Sequence, residues 1–147
     1  MVTRREGGCH CGAVRIAVDM PDAPRPHLCN CSICAMKATV AIDVPMEALT
    51  VVSGEDALAC YSFNTGVAKH WFCKTCGIHV FQQLRSDPEM YGVNGACFEG
   101  LGRFDFAALP VVDSANAHPK DTGQPTQIAG TMRYDTADHG TGTDRTG

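Results

Sequence analysis

The chain has 147 residues, 44% of them hydrophobic, and a net charge of −4. That length suits one domain with a core of its own, no apolar run approaches membrane-spanning length, and the twelve basic residues form no stripe of the kind that nucleic acid needs. Nine cysteines are an odd number, so full disulfide pairing within the chain is excluded and the thiols call for another use.

The start, "MVTRREGG", is charged and no apolar stretch follows it, as a secretory signal would require. A reducing, cytoplasmic setting is the simplest expectation, and there clustered cysteines mean metal or catalysis more often than cross-links. "AVRIAV" at 13–18 alternates as a strand, with Val14, Ile16 and Val18 on one side. Further short strands are expected at 39–44, 49–54 and 59–63. An "NTG" turn follows, with a return strand at 68–73, then strands at 78–84 and 90–98. "PMEALTV" and "FEGLGRFDFAAL" hint at single helical turns, and Pro21, Pro24, Pro26, Pro45 and Pro88 break the pattern between strands. No segment carries a long 3.6-residue period, so the body is expected to be mostly β. Beyond Val112 the composition turns polar and Gly-rich. Ile128, Met132 and Tyr134 share one parity there, which suits a return strand near 126–135, with a disordered tail at 136–147. Residues 1–135 are expected to form the domain, and no internal repeat is visible. Edge strands in a small β domain make a homodimer reasonable.

The cysteines fall into clusters. "GGCHCG" holds Cys9 and Cys11, and "FCKTCG" holds Cys73 and Cys76. The second is a knuckle-type CxxC, with Gly77 free to take a positive φ. Residues two apart on a strand point the same way, so two such pairs can supply the four soft ligands of a closed, structural zinc. "LCNCSICAMK" holds Cys29, Cys31 and Cys34, nesting a CxC and a CxxC on a shared middle residue. Cys60 and Cys97 have apolar or small neighbours and read as core cysteines. A second zinc held by the triplet is then left with an open fourth position, the mark of a catalytic site. His27 just ahead of the triplet is the residue placed to close it instead, while His10 inside the CxC is expected to point away. Three thiolates make a soft site that prefers sulfur to oxygen, which points to thiol chemistry. His70 and His79 are candidates to move a proton, since imidazole titrates near neutrality. Both also read as structural histidines. Trp71 and Phe72 read as core aromatics beside the knuckle.

Together "GGCHCGAVRI", "CNCSIC" and "YSFNTGVAKHWFCKTCGIHVF" resemble the glutathione-dependent formaldehyde-activating (GFA) family, related to centromere protein V, over residues 6–112. The resemblance implies a mostly β, Mss4-like fold of two packed antiparallel sheets organised around a structural zinc. It implies Cys9, Cys11, Cys73 and Cys76 as structural zinc ligands and Cys29, Cys31 and Cys34 as catalytic ones, hence two Zn2+ per chain. It implies a carbon–sulfur lyase or synthase reaction in which glutathione and formaldehyde give S-(hydroxymethyl)glutathione. Ala35 and Met36 stand where many relatives carry a basic residue directly after the third cysteine, and Lys37 follows. "NAHPKDTG" at 116–123 offers Asn116, His118, Lys120 and Asp121 to the open site, or forms a polar surface loop. Two other classes stay open at this point: a zinc-stabilised binding module with both metals structural, and a thiol-based redox sensor.

Overall fold

A computed structural model describes residues 1–137. In chain order, β1 (Val2–Gly8) and β2 (Arg15–Pro21) are followed by the two-residue β3 (Leu28–Cys29) and the short helix α1 (Ser32–Lys37). Strands β4 (Ala41–Pro45), β5 (Leu49–Ser53), β6 (Leu58–Tyr61), β7 (Lys69–Cys73), β8 (His79–Gln83) and β9 (Met90–Asn94) come next. The chain then forms β10 (Ala108–Val112), α2 (Pro119–Thr122) and β11 (Ile128–Arg133). The fold is mostly β with packed, largely antiparallel sheets, consistent with an Mss4-like domain, but it has three sheets rather than two, and β3 pairs parallel with β10.

Three sheets form: β1-β2-β5, β4-β9-β8-β7-β6 and β11-β10-β3. The larger core joins Ile16, Val18 and Met20 of β2 to Ile42, Val44, Val80, Phe81 and Val93 of the five-stranded sheet. A smaller core of Leu28, Val40 and Leu109 lies under β10. Trp71 pairs with Cys60 on one side and Phe81 on the other, and its ring stacks on Phe81 at 4.8 Å between centroids. Paired residues share a face and neighbours alternate, so the cross-strand pair His70 and Gln82 lies on the other face of the same sheet.

The register shifts between Trp71 and Phe72, so that Phe72 faces His79 and Val80 is left unpaired. This bulge turns His79 to the face that carries Gln82, three residues further on. Strict alternation would have sent the two to opposite faces.

The expected turns are seen as short 3-10 segments at Met46–Ala48 and Arg103–Asp105, and the "NTG" turn as Gly66 N–H bonding to the Phe63 carbonyl. Four elements carried no clear sequence signal. β1 is charged because it is an edge strand, where charge discourages pairing with other chains. β3 and β10 are held by tertiary packing. α1 has one buried residue, Cys34, and therefore no apolar period; it ends where Ala38 turns left-handed at φ 55°.

Cys60 corrects an expectation. It is exposed rather than in the core, because β6 is the outer strand of its sheet. Cys97 is half-buried, and burial pushes its thiol up to about 12, as suits a core cysteine. β11 pairs with β10 at the edge of the third sheet, and Ile128 and Met132 on it are exposed. Of the tail expected at 136–147, residues 138–147 lie outside the described residues.

Gly54 takes φ +81°, and a Cβ there would run into the carbonyl oxygen of Ala13. Gly54→Ala is expected to cost about 3 kcal/mol, from the left-handed backbone and the clash together. A melting midpoint lowered by roughly 5–10 °C is the readout; an unchanged midpoint would contradict this packing.

Candidate metal centres

Cys9 and Cys11 sit in the turn between β1 and β2, where Cys9 N–H bonds to the Val14 carbonyl and Gly12 N–H to the Cys9 carbonyl. Cys73 ends β7, and Gly77, at φ +76°, closes the knuckle with its N–H on the Cys73 carbonyl. The four sulfurs converge within 4.8 Å of one another. Cys11 Sγ lies 3.7 Å from both Cys9 Sγ and Cys73 Sγ. A tetrahedron with zinc–sulfur bonds of about 2.3 Å sets its corners about 3.8 Å apart, so this spacing fits the ion. Backbone N–H groups of Val14 and Thr75 point at the Cys9 and Cys73 sulfurs, each at 3.3 Å, and backbone hydrogen bonds at Cys76 and Thr75 hold the Cys73 thiol below its ordinary value. Backbone N–H groups at Cys11 and Ile78 hold Cys76 down at about 6.

The second cluster is the triplet. Cys29 ends β3 and Cys31 is the residue before α1, with extended φ and ψ of −63° and 160°. Cys34 is the one buried residue of that helix. Their sulfurs also lie within 4.8 Å of one another, and among the described residues no fourth ligand atom joins the group. Hydrogen bonds from Cys29 and Cys34 hold Cys31 down at about 2, and hydrogen bonds with Cys29 and Cys31, together with burial, push Cys34 far up. A metal ion bound to this group would displace the thiol protons. The donor set is soft and fits Zn2+.

His27 does not complete the triplet. It is turned toward Asp43, Nε2 to Oδ1 3.8 Å. Instead the triplet opens on a cavity of about 820 Å³, whose walls include His70, Gln82, Arg85 and His118. Asn30, between two of the cysteines, pins the next wall: its Oδ1 accepts from Ser114 N–H and Ala115 N–H, each at 2.9 Å. Of segment 116–123, His118 reaches the cavity while its Nδ1 accepts from Lys120 N–H at 3.1 Å. Asp121 pairs with Arg85. His10 is exposed. Trp71 packs on the core.

Beneath the triplet lies a polar knot that sequence reasoning missed. Lys37 Nζ bonds to His70 Nδ1 at 2.9 Å, His79 Nε2 at 3.3 Å and Gln82 Oε1 at 2.7 Å. Its partners are 33 to 45 residues away; His70 and Gln82 are a cross-strand pair, and the bulge in β8 brings His79 to their face. Gln82 Nε2 also approaches Cys34 Sγ at 3.9 Å. Burial first, then the charge of Lys37, hold His70 down at about 4. Burial, Lys37 and His70 hold His79 at about 3. Both imidazoles are therefore neutral at pH 7, whereas a free imidazole titrates near pH 6.5. Between pH 6.5 and about 4 the unfolded chain binds protons that the folded one refuses. Stability present above pH 6.5 is thus lost as pH falls through that window. The urea midpoint is expected to fall with acid more steeply in the wild type than in His79→Gln; equal slopes would contradict neutral burial.

Two thiol clusters on a β scaffold, one of four sulfurs and one of three, are arranged as metal ligands would be, which is the pattern of a GFA-type domain. The chain belongs to that family: the model for "glutathione-dependent formaldehyde-activating enzyme" matches residues 4–109. A Phaeosphaeria nodorum protein is 29% identical over 112 residues, covering 72% of this chain and 52% of its own length. One from Penicillium rubens is 26% identical over 92 residues, 58% of this chain and 47% of its own. Both bear the name "Putative glutathione-dependent formaldehyde-activating enzyme". The chain spans about half the length of these curated relatives. A Rhodobacter sphaeroides protein of known crystal structure is 43% identical with a TM-score of 0.69, over 72% of this chain and 98% of that one.

Proposed function

We propose that the chain is a zinc-dependent enzyme of carbon–sulfur chemistry, which joins glutathione to formaldehyde or a similar small electrophile and cleaves the same adduct in reverse. The observation that carries this reading is the triplet itself: three thiols, no fourth ligand in the group, and an open cavity above them. Cys9, Cys11, Cys73 and Cys76 hold a structural ion. Cys29, Cys31 and Cys34 hold a second one, which when bound keeps an incoming sulfur as thiolate at neutral pH.

The chain's own residues supply the remainder. The cavity walls orient the thiol and the electrophile together. Arg85, half-buried and paired with Asp121, gives the wall a cation that suits a carboxylated thiol such as glutathione. In the reaction a carbon–sulfur bond forms and the carbonyl π bond breaks. The electron pair moves to oxygen, which takes back the proton that the thiol released. His70, neutral and on the cavity wall, presents its ring to the site while Lys37 holds its Nδ1. Nine free thiols suit a cytoplasmic setting, and no helix of the described residues is long and apolar enough to cross a membrane. Residues 1–135 act as one domain.

The test is NMR with ¹³C-formaldehyde and glutathione, reading the rate at which the hydroxymethyl thioether carbon exchanges with free aldehyde. The zinc-loaded protein is expected to raise that rate well above the uncatalysed one. An unchanged rate with glutathione and with simple monothiols would remove the enzyme reading.

A further inference from the structure

We propose that Lys37 is the counter-charge of the three-thiol site: an ammonium held by three neutral acceptors, which offsets the negative charge gathered by the thiolates and so favours an anionic sulfur as fourth ligand. This deepens the reading above and rests on it for the identity of the incoming ligand.

Lys37 is half-buried at the end of α1, one turn from Cys34. The ion pairs of the described residues are Arg4–Asp19, His27–Asp43 and Arg85–Asp121, so none involves Lys37. Its three bonds go to His70, His79 and Gln82, none of which is anionic. A cation drawn out of water needs an opposite charge as well as hydrogen bonds. Burial pulls the pKa of Lys37 below its ordinary value, and the groups whose fields oppose that pull are Cys34, Cys31 and Cys29. Three thiolates and Zn2+ carry a net charge of about −1. A lysine beside them brings the pair near neutral, and the entry of a further thiolate is then opposed far less. Without that lysine the site would favour neutral ligands.

The same geometry fixes the imidazoles. An ammonium has three hydrogens and no lone pair, so each nitrogen facing Lys37 accepts. His70 therefore carries its hydrogen on Nε2, and His79 carries its own on Nδ1. Those two nitrogens are the buried ones with no partner among the described residues. Lys37 is a positioning residue here: it sets the tautomer of His70 and the charge of the site without itself having a donor to spare for substrate.

Two measurements test this. The first is ¹⁵N NMR of the imidazoles in the zinc-loaded protein at pH 7. It should show His70 protonated on Nε2 alone and His79 on Nδ1 alone, and both should lose that single-tautomer signature in Lys37→Met. Any other state in the wild type overturns the proposal. The second replaces zinc by cobalt and follows sulfur-to-cobalt charge transfer as 2-mercaptoethanol or glutathione is added, with imidazole as a neutral control ligand. Lys37→Met, and Lys37→Gln as a second variant, should bind either thiol about tenfold more weakly, as loss of one nearby charge implies, while imidazole binds as in the wild type. Equal thiol affinity in wild type and variants, or equal weakening of thiol and imidazole, overturns it. If the wild-type cobalt form takes no thiol at all, the enzyme reading fails instead. The tautomers then decide on Lys37, together with the metal affinity of the triplet, expected about tenfold weaker in Lys37→Met.

Discussion

Cys31→Ser should abolish catalysis of the glutathione–formaldehyde adduct, by a factor of about 10³ or more, while the protein still melts within about 3 °C of the wild type. Cys31 is the shared middle residue of the triplet and the thiol that ionises first, held down at about 2 by Cys29 and Cys34. Replacing its sulfur by a hydroxyl leaves two soft ligands and one hard, un-ionised one, which no longer holds a soft ion in competition with water. The fold has little reason to suffer. Cys31 precedes α1 in extended conformation and makes no side-chain bond to the helix end. Serine is among the favoured residues at such a cap, so the helix is expected to start as before. Thermal melting beside the adduct assay separates the two effects. Wild-type turnover in this variant would remove the triplet from the chemistry. A collapsed melting curve would make the triplet a structural site.

Cys73→Ser is expected to do the reverse: the protein should fail to fold rather than fail to react. Cys73 is fully buried in the larger core, and its sulfur joins those of Cys9, Cys11 and Cys76. The four thiols tie the β1–β2 turn to the turn between β7 and β8. Among the described residues no disulfide or ion pair links those two turns, and Cys97, which packs on the same core, turns its sulfur to the His79 carbonyl. Structural zinc contributes about 10 kcal/mol or more in small zinc domains, comparable to the whole stability of a typical domain. Far-ultraviolet circular dichroism and near-ultraviolet signal from Trp71 report the outcome. A cooperative transition at the wild-type temperature would show that the sheets hold without this cluster.

The clusters were legible because thiols that converge from short turns leave a local mark. CxC, CxxC and CxCxxC are spacings that a short turn must obey, and the alternation of Val14, Ile16 and Val18 marks β2 in the same local way. Cys60 was misjudged because apolar neighbours cannot tell an edge strand from a central one. α1 was invisible because six residues with one buried side chain carry no period. The knot of Lys37, His70, His79 and Gln82 was least legible of all. It depends on a bulge that flips the parity of β8, and no residue type announces that bulge in the chain. His70 was identified as a candidate from its residue type, but its neutral state comes from burial and a lysine 33 residues away.

The central claim is one closed and one open thiol site for metal, and metal content tests it most directly. Wild type and Cys31→Ser, both prepared under reductant, would be analysed for zinc per chain. Two ions in the wild type and one in the variant are predicted from the two clusters. One ion in both would contradict the account, because the triplet would then be a group of thiols that holds no metal.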